Sequence, residues 1–375
     1  MSLSLWEKES FYAPADIIII GSGFVGLWSA YYLKKKHPRL RITIVERGII
    51  PSGASTRNAG FACFGSVTEL IKDAAMMGEE QMLWLVEMRY RGLAKIRKTF
   101  KKKQIDYEKS GGYEMVPALN DRMNELEWQV KWLNSKLNAV LKEKKVFRFS
   151  DEKIGEFGFS EVGHIIENEL EGTLHPGKLC MSLLHLVQEK GVVVLSGIDV
   201  DRFEESANGI KVFAKNGLEL SADQLLICTN GFSASLMPGF EITPARGQVL
   251  VTSEVPSLKL KGAFHYNEGF YYFRNVGNRL LIGGARNIAI EQETTTEMTV
   301  TEDIQTTLEQ FVSKHILPGT YFEVTDRWSG IMGVGPEKMP VIKKVSPNVF
   351  CAVRMSGIGV ALAPVAADTI TDLMR

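Results

Sequence analysis

The chain has 375 residues, of which 45% are hydrophobic and 23% are charged. These values are typical of globular proteins and exclude a disordered, collagen-like or coiled-coil chain. Lysine plus arginine and aspartate plus glutamate number 44 each, so the formal net charge is zero. Because a nucleic-acid binder normally carries a basic excess, we expect no nucleic-acid partner. The length predicts two domains.

The cysteines, the histidines and the first residues exclude several further classes. The four cysteines form no CxxC pair, which is typical of a reducing compartment, and we expect a cytoplasmic protein. The six histidines show no metal-ligand spacing, so no metal site is predicted. The N-terminal 15 residues lack the pattern of a signal peptide. The uncharged stretch from Ile17 to Leu33 contains three glycines, so we predict a strand, a turn and a helix rather than a membrane span.

The first elements in chain order form a βαβ unit. Ile17–Ile20 is an apolar run of the kind found in parallel strands buried on both faces. A glycine-rich turn follows, and then a helix is predicted up to Lys36, where lysines complement the helix dipole. Arg41–Val45 is predicted to be the second strand, and it is followed by Glu46.

The rest of the chain continues this alternation without an internal repeat. Three short strand patterns between 248 and 286 predict an antiparallel sheet. The remaining predictions are helices over 67–103, 120–145, 178–190, 302–314 and near 365–374, and strands over 112–116, 192–195, 224–228 and 349–353.

The order of these elements predicts two interleaved domains. Nucleotide-binding patterns lie at both ends and in the middle of the chain, and two insertions separate them. We assign residues 1–66, 149–245 and 326–375 to a nucleotide-binding domain, and residues 67–148 and 246–325 to a substrate domain.

The turn after the first strand has the spacing Gly21-x-Gly23-x-x-Gly26, and Glu46 follows twenty positions after Gly26. The first glycine permits the tight turn, the second lets the backbone approach a pyrophosphate, and the third permits close helix–strand packing. The helix N-terminus offers N–H groups to phosphates, and Glu46 can accept hydrogen bonds from ribose hydroxyls. This pattern predicts a dinucleotide and leaves NAD and FAD open. The alternative is a glycine turn in an unrelated α/β protein.

Five further motifs decide between NAD and FAD by resemblance. They are Gly53-Ala54-Ser55-Thr56-Arg57-Asn58-Ala59-Gly60, His175-Pro176-Gly177, Cys228-Thr229-Asn230-Gly231, Arg246-Gly247-Gln248 and Arg354-Met355-Ser356-Gly357-Ile358-Gly359. Together they resemble the D-amino-acid oxidase superfamily of FAD-dependent oxidoreductases, which includes glycine, sarcosine and γ-glutamylputrescine oxidases. The resemblance implies FAD and an α/β fold, in which a Rossmann-type FAD-binding domain is interleaved with an α+β substrate domain built on an antiparallel sheet.

The resemblance also implies which residues contact the cofactor. The loop from Ser55 to Gly60 is implied to pass the isoalloxazine ring, and Val200 is implied to lie near the adenine. Backbone N–H groups of residues 357–360 are implied to face flavin N1 and O2, where negative charge develops on reduction. The implied cofactor-binding residues are Gly21, Ser22, Gly23, Phe24, Val25, Gly26, Glu46, Arg47, Ser55, Thr56, Arg57, Asn58, Ala59, Gly60, Val200, Thr229, Asn230, Gly231, Gly330, Met355, Gly357, Ile358, Gly359 and Val360.

The cofactor and the family imply the reaction. Flavin N5 accepts a hydride from a carbon that bears an amine, and water hydrolyses the imine. The cysteine that holds flavin covalently in sarcosine oxidase would fall near Ile331-Met332, where no cysteine is present, so we expect noncovalent FAD. The lysines that hold the substrate carboxylate and activate oxygen in that enzyme would fall at Ala361 and near Leu281. The electron acceptor therefore stays open between O2 and another molecule.

Substrate-orienting residues are expected in the second sheet. Period-two alternation places Phe270, Tyr272 and Arg274 on one face of a strand. An aromatic wall that ends in a guanidinium suits an amine substrate with an anionic group. Arg327, beside Trp328, is the other candidate. The alternative is that Tyr272 packs in the core and both arginines form structural ion pairs.

These observations predict an FAD-dependent oxidoreductase that oxidises a C–N bond of a small-molecule amine or amino acid. Two alternatives share the evidence for a flavin. One is a 2-hydroxy-acid dehydrogenase that passes electrons to a quinone or a protein, and the other is a flavin-binding protein without turnover. The specific substrate and the oligomeric state are left open.

Overall fold

A computed structural model of the protein describes residues 2–117, 123–256 and 258–374. Its elements alternate between helices and strands as the sequence predicts, and the first residues of the helix predicted from Asn120 lie outside the described ranges. A π-helical turn, Val312–Ile316, continues the ninth helix. The helices are α1 Leu5–Glu9, α2 Phe24–Lys36, α3 Ala54–Arg57, α4 Val67–Met77, α5 Glu79–Thr99, α6 Met123–Leu141, α7 Glu152–Phe157, α8 Pro176–Glu189, α9 Glu302–Phe311 and α10 Gly359–Leu373.

The strands form two eight-stranded sheets and one two-stranded sheet. The predicted α/β fold with a second, largely antiparallel sheet is confirmed. The strands are β1 Ala15–Ile20, β2 Ile42–Glu46, β3 Phe61–Ala62, β4 Gly112–Val116, β5 Arg148–Phe149, β6 His164–Asn168, β7 Gly172–Thr173, β8 Val193–Ser196, β9 Val200–Ser206, β10 Gly209–Ala214, β11 Glu219–Ile227, β12 Thr243–Thr252, β13 Ala263–Tyr266, β14 Tyr271–Val276, β15 Arg279–Gly284, β16 Val324–Val334, β17 Val341–Lys344 and β18 Val349–Val353.

The first sheet is built around β1. Its order is β17-β18-β11-β1-β2-β8, and the β9–β10 hairpin extends from β11. β1 runs parallel to both neighbours, and Ile20 is in register with Ile227 of β11 and Val45 of β2. The isoleucines of β1 are buried on both faces of the sheet. Ile17 and Ile19 pack against a cluster that includes α2 and α10, and Ile18 and Ile20 pack against a cluster that includes the β9–β10 hairpin. The carboxyl ends of these strands therefore meet at one edge, where ligands bind in open α/β sheets.

The second sheet has the order β16-β12-β15-β14-β13-β4-β6-β5. Its strands are antiparallel to their neighbours except for the parallel pair β13 and β4. One face carries an aromatic core in which the rings of Phe264 and Phe273 stack at 4.9 Å. The other face carries Tyr272 and His265 in register and turns toward the first sheet.

Strand pairing extends the second sheet beyond the predicted insertions. β6 pairs with β4, β5 pairs with β6, and β16 runs along the whole of β12. Sheet membership therefore does not change at residues 149 and 326, where the sequence analysis places domain boundaries. The reason is that hydrogen bonding between distant strands decides which sheet a segment joins.

Two predicted helices have different limits in the structure. The helical region from 67 to 103 is broken at Gly78, whose φ of +89° ends α4 and starts α5. The last helix begins at Gly359, one turn and more before the predicted start. Within the described residues, no helix is long and apolar enough to cross a lipid bilayer.

Candidate active site

A cavity of about 1080 Å³ lies between the two sheets, larger than pockets for single drug-sized ligands, which span about 300–1,000 Å³. Its nucleotide end is lined by residues at the carboxyl edge of the first sheet, including Gly21, Glu46 and Val200. We call the part of the cavity beneath the second sheet the substrate end. It is lined by Lys72, Asp73, Glu69, Arg89, Cys63, His265, Tyr272, Arg286 and Lys338.

The glycine turn at the nucleotide end has no room for side chains. Gly21 has a φ of +103°, and a Cβ added there would stand 2.9 Å from the carbonyl oxygen of Cys228. A Cβ at Gly26 would stand 2.0 Å from the carbonyl oxygen of Gly21. Gly23 caps α2 without a side chain of its own, so the helix N-terminus faces the cavity through backbone groups. Gly21 and Gly26 thus stand where the tight turn and the close helix–strand packing leave no space for a side chain, and the approach of a pyrophosphate to Gly23 stays a prediction.

Glu46 lies at the end of β2, beside the glycine turn. Its Oε2 accepts hydrogen bonds from the backbone N and the Oγ of Ser22, at 3.0 and 2.7 Å. Its Oε1 accepts one from the backbone N of Gly48 at 2.9 Å. The carboxylate is therefore held at the cavity wall with acceptor lone pairs to spare for hydroxyl donors. The guanidinium of Arg47 stacks over the ring of Phe232 at 4.2 Å from its centroid.

The loop from Gly53 to Gly60 is fixed to both sheets. Ser55 Oγ accepts a hydrogen bond from the backbone N of Phe24 at 2.8 Å. The Arg57 guanidinium donates to the carbonyl of Ser329 at 2.9 Å, and Trp328 Nε1 donates to the carbonyl of Arg57 at 2.9 Å. These bonds hold the loop along the cavity between the nucleotide and substrate ends.

The N-terminus of α10 closes the opposite wall. Gly359, Val360 and Ala361 line the cavity and belong to the first turn of the helix, where backbone N–H groups lack intrahelical partners. Gly92 of α5 packs so tightly beneath this turn that an added Cβ would stand 1.7 Å from the carbonyl oxygen of Ala361. The turn is therefore placed by a backbone contact with α5.

The structure brings most of the sequence-predicted cofactor residues to one cavity. Four of the predicted residues do not line the cavity, namely Ser22, Gly26, Thr56 and Gly60. The hydroxyl of Thr56, for example, donates a hydrogen bond to the carbonyl of Pro51 at 2.6 Å. The predicted residues that line the cavity are Gly21, Gly23, Phe24, Val25, Glu46, Arg47, Ser55, Arg57, Asn58, Ala59, Val200, Thr229, Asn230, Gly231, Gly330, Met355, Gly357, Ile358, Gly359 and Val360.

Of the three substrate-orienting candidates, Tyr272 lines the cavity. Its ring covers Gly283 so closely that a Cβ there would stand 2.7 Å from the phenolic oxygen. Burial raises the pKa of Tyr272 to about 12, so the hydroxyl stays protonated at neutral pH and can donate a hydrogen bond. The edge of Phe61 packs against the Tyr272 ring, with 6.0 Å between centroids.

The structure does not bring Arg274 and Arg327 to the cavity lining. Arg274 Nη1 donates to the backbone carbonyls of Leu174 and Gly60, at 2.8 and 3.1 Å. Burial lowers the pKa of Arg274 to about 10. Arg327 donates to Gln305 at 2.7 Å and forms an ion pair with Glu309 at 2.7 Å. Both arginines therefore make structural contacts outside the cavity lining.

The substrate end instead carries charged pairs that the sequence analysis missed. Arg89, which is 1% exposed, pairs with Glu69 at 3.3 Å. Lys338 pairs with Glu69 and Asp73, at 3.0 and 2.8 Å. Burial alone would raise the pKa of Glu69, but Lys338 and Arg89 outweigh it and lower the pKa. Lys72 pairs with Glu268 at the same end.

Arg286 differs from these cations because its side chain makes no hydrogen bond or ion pair with any residue that the structure describes. It follows the last residues of β15, is half-buried and lines the cavity. Burial lowers its pKa, and the charge of Glu293 opposes that effect. Its position directly after a strand that ends in Gly283-Gly284 is the signal that could have identified it.

Three buried side chains of different types meet beside the substrate end. A sulfur of Cys63, an oxygen of Glu171 and a ring nitrogen of His265 lie within 4.8 Å of one another. Burial raises the pKa of Cys63 to about 12 and that of Glu171 to about 8, and it lowers the pKa of His265 to about 4. At neutral pH all three are therefore uncharged. These residue types can bind metals, but the Arg89 guanidinium lies 3.8 Å from the Cys63 sulfur and disfavours a cation.

Comparison with known proteins supports a single family. The model of the family described as "FAD dependent oxidoreductase" (DAO) matches residues 16–373. The chain belongs to this family. The γ-glutamylputrescine oxidoreductase of Escherichia coli (strain K12) is 23% identical to it over 384 residues, covering 96% of this chain and 83% of that protein.

Two solved structures show the same fold as this DAO-family chain. L-Proline dehydrogenase from P. horikoshii superposes with a TM-score of 0.78 at 16% identity, covering 97% of this chain and 94% of that one. L-α-Glycerophosphate oxidase from Mycoplasma pneumoniae, determined with FAD bound, has a TM-score of 0.76 at 15% identity, covering 96% and 95%. The expected membership and fold are thereby confirmed, and the protein is an oxidoreductase.

The residues of the cavity fit the cofactor of the DAO family. The glycine turn and the N-terminus of α2 suit a pyrophosphate, Glu46 suits a ribose, and the first turn of α10 offers N–H groups to a ring oxygen. The cavity extends past these groups to the charged substrate end. It has space for a dinucleotide and a second small molecule together.

Proposed function

We propose that this protein binds FAD noncovalently and oxidises a C–N bond of an amine or amino acid that also carries an anionic group. The observation that carries the proposal is the single cavity that joins the glycine turn to Tyr272 and Arg286. Relatives whose names specify γ-glutamylputrescine and L-proline support a substrate with an oxidisable C–N bond. FAD supplies the ring that accepts a hydride from the carbon beside the nitrogen.

Noncovalent binding is supported by the thiols near the cavity. Cys63 and Cys228 line it, but burial raises the pKa of both, that of Cys63 to about 12. A thiol that stays protonated is a poor nucleophile. Denaturation of the yellow protein in acid is expected to release all of the FAD, and flavin that stays with the chain would contradict this part of the proposal.

The anionic group of the substrate is assigned to Arg286. The other cations of the substrate end, Lys72, Arg89 and Lys338, already have carboxylate partners. A guanidinium without a partner in a half-buried position gains most from a bidentate carboxylate. Tyr272 and Phe61 would pack against the apolar part of the substrate, because both rings line the cavity.

The chain provides two further contributions to the chemistry. The backbone N–H groups at the start of α10 stabilise negative charge that develops on a ring oxygen. The buried Arg89–Glu69 ion pair gives the substrate end a fixed charged wall. Neither contribution requires a catalytic acid–base pair, because a neutral amine needs little assistance to lose a hydride.

Anaerobic mixing of the purified yellow protein with panels of amines, amino acids and 2-hydroxy acids tests the function. Loss of the visible flavin absorption with amino acids or anionic amines is expected. Loss with hydroxy acids alone would identify a hydroxy-acid dehydrogenase. A flavin that no compound reduces would indicate a binding protein without turnover. Admitting air to the reduced protein then tests the acceptor: slow return of the colour would reject O2.

A further inference from the structure

His265 presents a neutral ring to the substrate end of the cavity. It lies in β13, in register with Tyr272 of β14, and its ring contacts Phe61 with 5.1 Å between centroids. The side chain is 7% exposed and lines the cavity. Burial lowers its pKa to about 4. At neutral pH the imidazole therefore has one N–H donor and one acceptor nitrogen.

The two ring nitrogens of His265 have different surroundings. Nε2 is enclosed and has no hydrogen-bond partner among the described residues. Nδ1 lies toward Gly269, a cavity-lining residue whose added Cβ would stand 3.9 Å from it. A ligand in the cavity would thus meet Nδ1. Whether Nδ1 donates or accepts depends on what Nε2 does, because a neutral imidazole carries a single hydrogen.

Glu171 carries a carboxyl group beside the ring of His265. Its oxygen and a ring nitrogen of His265 are within 4.8 Å, a separation that one bridging water or a small side-chain shift closes. Its Oε1 accepts hydrogen bonds from the backbone N of Phe64 and Gly65, at 2.7 and 3.2 Å. Oε2 is therefore the oxygen that can carry a proton. Burial raises the pKa of Glu171 to about 8, so this carboxyl is a donor at neutral pH.

We propose that His265 contacts the substrate through Nδ1 and that Glu171 is a positioning residue that sets the tautomer of His265. This inference rests on the proposed function, because it assigns a contact in the same cavity. While Glu171 is protonated, its O–H donates to Nε2, directly or through a water. Nδ1 then bears the ring hydrogen and donates to an anionic oxygen of the substrate.

Ionisation of Glu171 reverses the role of Nδ1. The carboxyl proton passes to Nε2, which then donates to the carboxylate, and the hydrogen on Nδ1 leaves to solvent. One proton is released in total, and the ring stays neutral. Nδ1 now accepts a hydrogen bond, which suits the N–H of a neutral amine. As the pH rises through the pKa of Glu171, Nδ1 of His265 therefore changes from a hydrogen-bond donor to a hydrogen-bond acceptor.

The other charges near this pair stay constant over the same pH range. Burial opposes the charge of each of them, but the neighbouring charges keep Glu69 ionised and Arg89 and Lys338 protonated, and burial keeps Cys63 a thiol. Burial also raises the pKa of Asp73, and among the described neighbours Glu114, in register with His265 on β4, titrates as well, since burial raises its pKa to about 7. Its carboxylate accepts hydrogen bonds from Thr68.

Nitrogen-15 NMR of the FAD-loaded, histidine-labelled protein tests the tautomer, because protonated and unprotonated ring nitrogens have well-separated shifts. His265→Gln identifies the signals. Wild-type protein is expected to show the Nδ1–H form at about pH 6 and the Nε2–H form at about pH 10, with a midpoint near 8. A tautomer that does not change over this range, or an imidazolium that forms at the usual pKa, would overturn the proposal.

The Glu171→Gln variant tests whether ionisation of the Glu171 carboxyl, rather than of another group, causes the change in the tautomer of His265. Glutamine keeps an acceptor for the N–H groups of Phe64 and Gly65 and a donor for Nε2, but it cannot ionise, so His265 should stay in the Nδ1–H form throughout. Glu114→Gln is the matched control and should leave the transition in place. A transition that persists in Glu171→Gln, or disappears in Glu114→Gln, contradicts the assignment. If Glu171→Gln does not fold, the wild-type titration still decides.

Two further measurements complete the test. With a substrate from the anaerobic panel, the pH dependence of Kd near 8 should be present in wild type and absent in Glu171→Gln, and identical profiles would reject the contact. The zinc content of the protein is measured before and after treatment with EDTA. One zinc ion per chain, whose removal by EDTA shifts the His265 signals, would show that Cys63, Glu171 and His265 form a metal site and would overturn the proposal. The tautomer measurement requires no turnover, so a failure of the proposed function would be seen separately.

Discussion

Arg286 lies half-buried in the cavity wall without a described partner. Replacing it with alanine removes the assigned contact to a substrate anion. Hydrogen bonds to charged groups contribute about 1.5–3 kcal/mol, so Kd for an anionic substrate should rise about 10- to 100-fold. The measurement is the concentration dependence of anaerobic flavin reduction in Arg286→Ala.

Arg327 provides the matched control for this substitution, because it forms an ion pair with Glu309 outside the cavity lining. Arg327→Ala should leave the Kd within about twofold of the wild-type value, because the substitution removes only a partly exposed ion pair, and such pairs contribute little free energy. Equal losses of affinity in both variants would mean that the net positive charge, rather than the position of Arg286, attracts the substrate.

Arg274 is expected to act on stability and on cofactor retention. Its guanidinium ties the loop carbonyl of Gly60 to that of Leu174. Arg274→Ala should lower the free energy of unfolding by about 2–3 kcal/mol and weaken FAD binding, with no specific loss for anionic substrates. Thermal unfolding and FAD titration of the apoprotein measure these two effects. A variant with normal stability and a selective loss of affinity for anionic substrates would show that Arg274 contacts the substrate.

These residues show how far a pattern of side chains leads. Alternation along a strand gives the face on which Tyr272 lies, and the structure places it in the cavity. The same alternation cannot tell how far a long guanidinium reaches, so it did not separate Arg274 from Arg286. His265 and Glu171 were missed because they are distant in sequence and meet only in the folded chain.

The crossing of α5 and α10 depends on a glycine that no motif contains. Gly92 lies in the middle of α5, and its backbone meets the carbonyl of Ala361 in the first turn of α10. This close approach sets the position of the N–H groups that face the cavity. The glycines of the turn after β1 were predicted because their spacing belongs to one local unit, whereas the need for Gly92 arises from a helix at the other end of the chain.

Gly92→Ala is expected to separate these two helices. The added Cβ would stand 1.7 Å from a backbone oxygen, and overpacking of this kind costs about 1–3 kcal/mol. FAD affinity should fall together with stability, since the first turn of α10 moves. Melting temperature and FAD titration are the measurements.

Gly155→Ala is the control for the effect of replacing a glycine with alanine inside a helix that has no close neighbour at that position. Gly155 lies in α7 with no atom within 4 Å of an added Cβ. The substitution should stabilise the protein by up to about 1 kcal/mol and leave FAD binding unchanged. Equal effects at Gly92 and Gly155 would show that helix propensity, not the crossing, accounts for the result.

For the molecule as a whole, buried carboxyls make stability depend on pH. Burial raises the pKa of Glu114 to about 7 and that of Glu171 to about 8, from a usual value of 4.5. The folded state therefore binds protons that the unfolded state has released. This contribution to stability is complete below pH 4.5 and is lost as pH rises to about 7 and 8, with a slope of at most about 1.4 kcal/mol per pH unit for each group.

The double variant Glu114→Gln, Glu171→Gln tests this pH dependence. Wild-type protein should lose melting temperature as the pH rises from about 5.5 to 8, where the folded state still binds protons that the unfolded state has released, and the variant should lose much less. Ordinary carboxylates are already ionised in this window, and burial keeps His265 neutral, so neither contributes to the slope. Parallel curves for the two proteins would show that the buried carboxyls do not titrate there.

The interleaved architecture was predictable because each segment shows its own periodicity. The limits of the domains stay a prediction. Which sheet β5 and β6 join could not be predicted, because β6 joins the second sheet by pairing with β4, and β5 joins it by pairing with β6. Local patterns specify elements, whereas hydrogen bonds between distant strands specify which elements belong together.

The placement of α10 also determines when the cavity can form during synthesis. β18 completes the first sheet beside β11, and α10 provides the last wall of the cavity, so both are translated after every other part of the site. A nascent chain on the ribosome that has reached only β17 has the glycine turn but lacks this wall. The complete cavity can therefore form only after α10 has left the ribosome.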